Sequence, residues 1–457
     1  MDDTTTRTED ERGGKTPRFG GTFLIVWFGQ VVSLVGSGLT WFGLGIWVFL
    51  ETGSVTSLSM VLLASNLPRI ALSPVAGALV DRWDRRWAMI LSDAGSGVGT
   101  IMIFVLFLND AATIPALVII GAFSSVFQAF QWPAYHASIS LLVPKENFQR
   151  ASGMVQMAEA ISQLVAPLFA AFAIVSFGVT GLVFIDVLTF SFAILTLLVV
   201  RFPRPPESDV GEASKGTLWQ ETLFGFKYIF ARHGLLALLM FFAAINLAFG
   251  FLGPMIIAFL LSIGSETTLG MSFTIGSTGM LAGSVLASTW ADAEHKVKGI
   301  LGSTLVLGAM MMTMGWTSVL VVIIGSMWIG MFVVPIASAM SNAIWMLKVE
   351  PDVQGRVFAV RGMLAQMTSP MALLVAGPLA DRVFVPLMTE SSGLGDFLQS
   401  IMGSGVDSGY GLFFVALGVF LIAAVFVAWS YGPLRNLETD IPDAVGPPTP
   451  DSAADAV

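Results

Sequence analysis

An all-α integral membrane protein, with twelve transmembrane helices in two pseudo-symmetric six-helix bundles, is the fold class the sequence predicts. Three observations predict it. Apolar residues make up 55% of the 457-residue chain and charged residues only 12%, and the apolar runs repeatedly reach the ~20 residues that a helix needs to cross a ~30 Å hydrocarbon core. In a twelve-span reading, twenty of the 22 lysines and arginines lie on one side, the bias that marks the cytoplasmic side. Short motifs of the first half also reappear in the second. Backbone groups in lipid must be paired internally, which excludes open strands, and the runs lack the polar alternation of an outer-membrane barrel.

A polar tail, 1–20, reads as disordered. It precedes span 1 (21–50), which is too long for the apolar core of a cleaved leader. Span 1 carries Gln30, about 14 Å from its start at 1.5 Å per residue. Span 2 (57–80) carries Arg69, about 18 Å deep. It leads into the charged run Gly77-Ala-Leu-Val-Asp81-Arg82-Trp83-Asp84-Arg85-Arg86. Span 3 (87–108) carries Asp93 and then Gly95-Ser-Gly97-Val-Gly99, small residues that suit close helix contact rather than a phosphate cradle. Span 4 (113–142) holds Gln128, Phe130-Gln-Trp-Pro133 and His136. Span 5 (149–176) holds Glu159, about 14 Å deep, and Gln163-x-x-x-Pro167. Span 6 (180–200) holds Asp186.

The linker 202–217 is polar, and residues 218–232 mix aromatic and basic side chains at helical spacing, the pattern of a helix lying on a membrane surface. Span 7 (235–261) holds Asn246, about 17 Å deep, and span 8 (268–290) holds Gly279-x-x-x-Gly283. Span 9 (299–316) contains Met310-Met-Met-Thr-Met314, either ordinary packing methionines or an adaptable apolar wall. Span 10 (319–346) holds Phe332-Val-Val-Pro335, span 11 (356–385) holds Gln366-x-x-x-Pro370, and span 12 (409–431) precedes an acidic tail. Pro133 to Pro167 is 34 residues and Pro335 to Pro370 is 35. Two parallel repeats related by an axis along the membrane normal explain that echo. The expected domains are a bundle at 21–201, a cytoplasmic linker with the interfacial helix at 202–234, a bundle at 235–432 and a disordered tail at 433–457.

Several function classes are excluded or left without support. A net charge of −9 argues against nucleic-acid binding, which wants a basic face. The chain has no cysteine, so disulfides and thiolate metal sites are out. No G-x-x-x-x-G-K-[ST] occurs, so no P-loop of its own supplies ATP-driven work. No helical H-E-x-x-H or nucleophile–base cluster is present, and an enzyme or membrane sensor stays a remote alternative. No metal or cofactor is expected beyond a proton gradient, and a monomer in the bilayer is the default.

The charged run resembles the loop between helices 2 and 3 of the major facilitator superfamily, written G-x-L-a-D-r-x-G-r-k. Gly77, Leu79, Asp81, Arg82, Arg85 and Arg86 match, and Asp84 stands where the family has glycine. Four further segments are similar to the macrolide-efflux-like branch, the third drug/proton antiporter family. They are Gln30-Val-Val-Ser-Leu-Val-Gly36-Ser-Gly38-Leu-Thr40, Leu67-Pro68-Arg69, Phe130-Gln-Trp-Pro-Ala-Tyr135 and Ala376-Gly-Pro-Leu-Ala-Asp381-Arg-Val-Phe384. The resemblance implies the major facilitator fold in the cytoplasmic (inner) membrane, and the basic bias puts both termini in the cytoplasm. It implies alternating-access export of an amphipathic small molecule, such as a macrolide or a siderophore, by proton antiport. An uncoupled facilitator is the alternative. It also implies that Gly77, Asp81, Arg82, Arg85 and Arg86 form a gating loop joining the cytoplasmic ends of the halves in the outward-open state. Two departures stand out. Residues 119–135 lack the arginine that drug/proton antiporters carry in helix 4, and their helix 5 motif survives only as Ala166-Pro167-Leu-Phe-Ala170-Ala171.

Charged side chains at the bilayer centre cost ~2.5–3.5 kcal/mol each on insertion scales, so those present are candidates for function. Glu159, Asp186, Arg69 and Asp93 are the candidates for proton coupling. Glu159 suits that role if it stands alone and is structural if it pairs permanently with Arg69; the sequence leaves both open. Asp93 is also placed to pair with the basic loop beside it. Gln30, Asn246, Gln128 and His136 are the candidates for the substrate cavity. The first two sit on equivalent spans, which the resemblance places around a central cavity, though interhelical hydrogen bonding would serve equally. His136 titrates in the right range or packs by hydrogen bonding.

Overall fold

The computed structural model describes residues 21–80, 83–143, 148–200, 202, 218–289, 295–349 and 354–443. Asp81 and Arg82 lie outside the described residues, as do the side chain of His136 and the surroundings of Gly77. The first helices are α1 (Gly21–Thr52), α2 (Val55–Val80), α3 (Arg85–Leu108) and α4 (Ile114–Leu142). Phe148–Val199 then runs as 52 helical residues, except that Gly178 sits at φ 67° and ψ −180°. Only glycine adopts that backbone readily, and it divides the stretch into α5 (148–177) and α6 (179–199). The eleven described stretches that are long and apolar enough to cross a membrane therefore make twelve spans.

The second half begins with α7 (Leu218–Ala231), α8 (His233–Ile263), α9 (Glu266–Thr289), α10 (Lys296–Gly315) and α11 (Leu320–Lys348). Span 11 is segmented into α12 (Gln354–Gln366), α13 (Thr368–Leu379), a π turn (Ala380–Phe384) and α14 (Val385–Thr389). A short helix that the sequence reading did not anticipate, α15 (Gly393–Met402), precedes α16 (Val406–Ser430). A helix, α7, forms where the sequence leads one to expect a helix lying on the membrane surface. It packs against α12, with Tyr228 and Ile229 buried.

The disordered tail expected from 433 needs correction. Residues 432–443 are folded, with α17 (Gly432–Arg435) and α18 (Leu437–Asp440) burying Leu434 and Leu437. Glu438 accepts from the backbone N–H of Lys296 at 2.8 Å and of Val297 at 3.3 Å. Lys348 pairs with Asp443 at 2.8 Å and donates to the carbonyls of Glu438 and Ile441. Composition marked the segment as polar, but its two leucines and its carboxylates have partners in the bundle.

Twelve passes bring both ends of the described chain to one side, here the near face; the opposite side is the far face. The glycine rows do what small residues do in lipid, letting helices approach. Gly95 and Gly99 lie on Phe127 and Ser124 of α4, Gly97 on Phe190 of α6, and Gly279 and Gly283 on the backbone of α11. The two halves meet where α2 packs on α13 and α5 packs on α9. Gly270 of α9 rests against Pro167 and Ala171 of α5, Phe42 meets Phe273 edge-on at 5.1 Å, and Phe49 meets Tyr410 at 6.2 Å. These contacts all lie toward the far face, so the protein stands in a far-face-closed conformation. Large apolar side chains such as Phe172, Val175, Val199 and Val321 point outward, as a lipid-facing surface requires.

Candidate functional site: a polar file inside the N-terminal bundle

One stripe of α1 carries Gln30, Ser33, Ser37 and Thr40 at i, i+3, i+7 and i+10, all on one helical face. On α3, Asp93, Ser96 and Thr100 repeat the same spacing. A carboxylate stands toward each end of this file. Asp93 is buried on α3, and Gln30 Nε2 donates to its Oδ2 at 3.1 Å. Gln131 Nε2 of α4 donates in turn to Gln30 Oε1 at 2.8 Å. Asp186 on α6 is also buried; it accepts from Ser37 Oγ at 3.3 Å, Thr100 Oγ1 at 3.4 Å and Thr189 Oγ1 at 3.3 Å. Among the described residues neither carboxylate has an ion-pair partner. Gln30 and Ser37 are seven residues apart on α1, so the two carboxylate sites are separated by roughly 10 Å along the helix axis.

Among the described residues no cation forms an ion pair with Asp93. Arg86 instead donates from Nε to the carbonyl of Leu197 at 2.8 Å and from Nη2 to that of Leu198 at 2.7 Å. It thereby caps the end of α6 within its own half. Asp84, the departure from the family's loop, is the N-cap of α3 and accepts from Trp87 N at 3.1 Å. Arg85 is half-buried at the start of α3.

Arg69 and Glu159 interact through their charges but do not form an ion pair within 4.0 Å among the described residues. Arg69 is exposed, its Nη2 donating to Asn66 Oδ1 at 3.2 Å, and its backbone N–H bonds Ser125 Oγ at 3.0 Å. Glu159 is half-buried on α5.

The structure separates the two amides of the equivalent spans 1 and 7. Gln30 turns into the N-terminal bundle toward Asp93. Asn246 lines a cavity of about 190 Å³ inside the second half, with Phe242, Phe249, Ser303, Thr304 and Ser338. A neighbouring space of about 70 Å³ shares Phe249 and is walled by Met310, Met311, Met314, Met327 and Met331, so three of the four clustered methionines face it. Neither lining contains a charged residue. Gln128 is half-buried on α4, three residues before Gln131. Sequence reasoning assigned Gln131 no role, although a second glutamine one turn from Gln128 in an apolar helix is the signal that points to it. The hydroxyls of Ser37, Thr100 and Thr189 gave no such signal, because serine and threonine are common in membrane helices.

Comparison with known proteins places this geometry. The chain is 26% identical over 370 residues to macrolide efflux protein A of Streptococcus pyogenes, covering 79% of this chain and 90% of that protein. It is 25% identical over 189 residues to the enterobactin exporter EntS of Salmonella typhi, covering 40% of this chain and 45% of that one. Among solved structures, a bacterial homologue of the human lysosomal transporter Spinster superposes with a TM-score of 0.65 at 16% identity, over 89% of this chain and 96% of that one. The Major Facilitator Superfamily model matches residues 26–373. The chain belongs to the Major Facilitator Superfamily and is a multi-pass membrane transporter rather than an enzyme.

Proposed function

We propose that this transporter exports an amphipathic small molecule, macrolide-like in character, by alternating access coupled to inward proton flow. The observation that carries the reading is the chain Gln131–Gln30–Asp93. A buried ionised carboxylate is costly unless compensated, and among the described residues the side chain bonded to Asp93 is the neutral amide of Gln30, itself bonded by Gln131. A bound proton is then the charge-compensating partner available to it. The amides tie that site to α1 and α4, so occupancy by a proton is felt by two helices at once. Asp186, held by three hydroxyls, is a second site of the same kind. The uncharged cavities around Asn246 and the methionines support a neutral or weakly polar ligand surface, and methionine walls adapt to varied shapes. With both termini in the cytoplasm, as the basic bias supports, the far face is the outer one and the conformation is closed to the outside.

The test is accumulation of a labelled macrolide in efflux-deficient bacteria expressing the chain, with and without a protonophore, beside Asp93→Asn and Glu159→Gln. The expected result is reduced accumulation that the protonophore abolishes and Asp93→Asn loses. Export that persists with the protonophore present would exclude proton coupling. Accumulation equal to the empty vector would exclude the macrolide and turn attention to a siderophore, in keeping with the similarity to the enterobactin exporter.

A further inference from the structure

Asp381 belongs to the run Gly377-Pro-Leu-Ala-Asp381-Arg382, which repeats the form of Gly77-Ala-Leu-Val-Asp81-Arg82, found 300 positions earlier. The earlier run closes span 2 at the near face. The later one closes span 11 at the far face, where the backbone passes through the π turn Ala380–Phe384. There the carboxylate reaches across to the other half. Asp381 Oδ2 accepts from Ser54 Oγ at 2.7 Å, from Thr56 N at 2.9 Å and from Thr56 Oγ1 at 2.8 Å, while Oδ1 accepts from Val55 N at 3.1 Å.

Val55 and Thr56 open α2. The first N–H groups of a helix have no partner within it, and the helix end carries partial positive charge that favours an anion. One carboxylate of the second half therefore caps the helix start of the first. Gly377 permits the approach, because a Cβ there would fall 2.3 Å from Thr56 Cα. The two features act together. Backbone contact at Gly377 brings the helices close, and Asp381 fixes their register.

We propose that Asp381 is the latch of the far face. Its four hydrogen bonds hold the far ends of the two halves together in this conformation, and they must break for the far face to open. The latch is independent of substrate and coupling ion, so it stands or falls apart from the export reading.

The natural absence of cysteine makes the test direct. Spin labels at Glu51→Cys and Glu390→Cys, both exposed at the far face, report its opening by double electron–electron resonance on the full chain in nanodiscs without substrate. Asp381→Asn is expected to shift the closed-to-open ratio about tenfold toward longer distances, a population change within the ordinary range of coupling energies. Ser54→Ala with Thr56→Val removes the two hydroxyl donors and leaves the two backbone N–H groups, so it shifts the distances the same way by less. Unchanged or shortened distances in the folded variants overturn the proposal. If Asp381→Asn does not fold, the Ser54→Ala/Thr56→Val result decides alone.

Discussion

The amide of Gln30 on α1 donates to the carboxylate of Asp93 on α3 across 3.1 Å, joining positions 63 residues apart. The bond makes Asp93 the residue through which a proton would be felt by the helices around it. Asp93→Asn preserves an oxygen that accepts from Gln30 while removing the titratable site. In proteoliposomes with an imposed pH gradient, uphill substrate movement is expected to fall roughly tenfold, the size of a typical coupling between two ligands. Counterflow exchange without a gradient should persist. Equal losses in both assays would make Asp93 a structural residue.

Asp186 is read differently by two substitutions. Asp186→Asn keeps an acceptor for Ser37 and Thr100, whereas Asp186→Leu takes from Ser37 the carboxylate it bonds, while Thr100 and Thr189 keep the carbonyls of Ser96 and of residue 186. Unsatisfied buried polar groups cost ~1–3 kcal/mol, so the leucine variant should unfold below the asparagine one in thermal scans of the purified protein. A leucine variant as stable as the parent would show that Ser37 finds another acceptor.

The near-face loop braces the N-terminal bundle through Arg86. Arg86→Ala removes two charge-assisted bonds to the end of α6, and hydrogen bonds to charged groups contribute about 1.5–3 kcal/mol each. Asp84→Ala removes the N-cap of α3 and is expected to cost about 1 kcal/mol. Reversible unfolding in mixed micelles ranks the two, with Arg86→Ala the more damaging.

Arg69 and Glu159 share a Coulomb interaction without contact. A double-mutant cycle with Arg69→Gln and Glu159→Gln should therefore yield a coupling below about 1 kcal/mol in stability, as for separated charges near water. A coupling of several kcal/mol would reveal a closed pair in another conformation.

The sequence carried depth but not rotation. Residue number along an α-helix converts to height at a fixed rise, so Gln30 was legible as a polar group well inside span 1 and Asp93 as a carboxylate in the first turns of span 3. Which way each side chain turned was not, and Gln30 proved to face Asp93 rather than Asn246. Gly178 was legible in effect, since the gap between spans 5 and 6 was placed around it. The partners of Arg86 were not, because backbone carbonyls of Leu197 and Leu198 leave no mark in a sequence. Asp381 stood inside a quoted motif, yet its partners Ser54 and Thr56 lie more than 300 residues away, and only tertiary packing joins them.

The folded tail also bears on how the second half moves. Lys348 holds the end of α11 to residues 438–443, Glu438 holds the start of α10, and Tyr228 Oη of α7 donates to the carbonyl of Lys348 at 3.4 Å. Pro433 lies against Gly234 at the start of α8, while the tail itself continues from α16. Four helix ends, those of α8, α10, α11 and α16, thus meet one short strap, and α7 joins them through Lys348. Helices so tied share one anchor at that face, and for any of them to slide past its neighbours there these bonds must break.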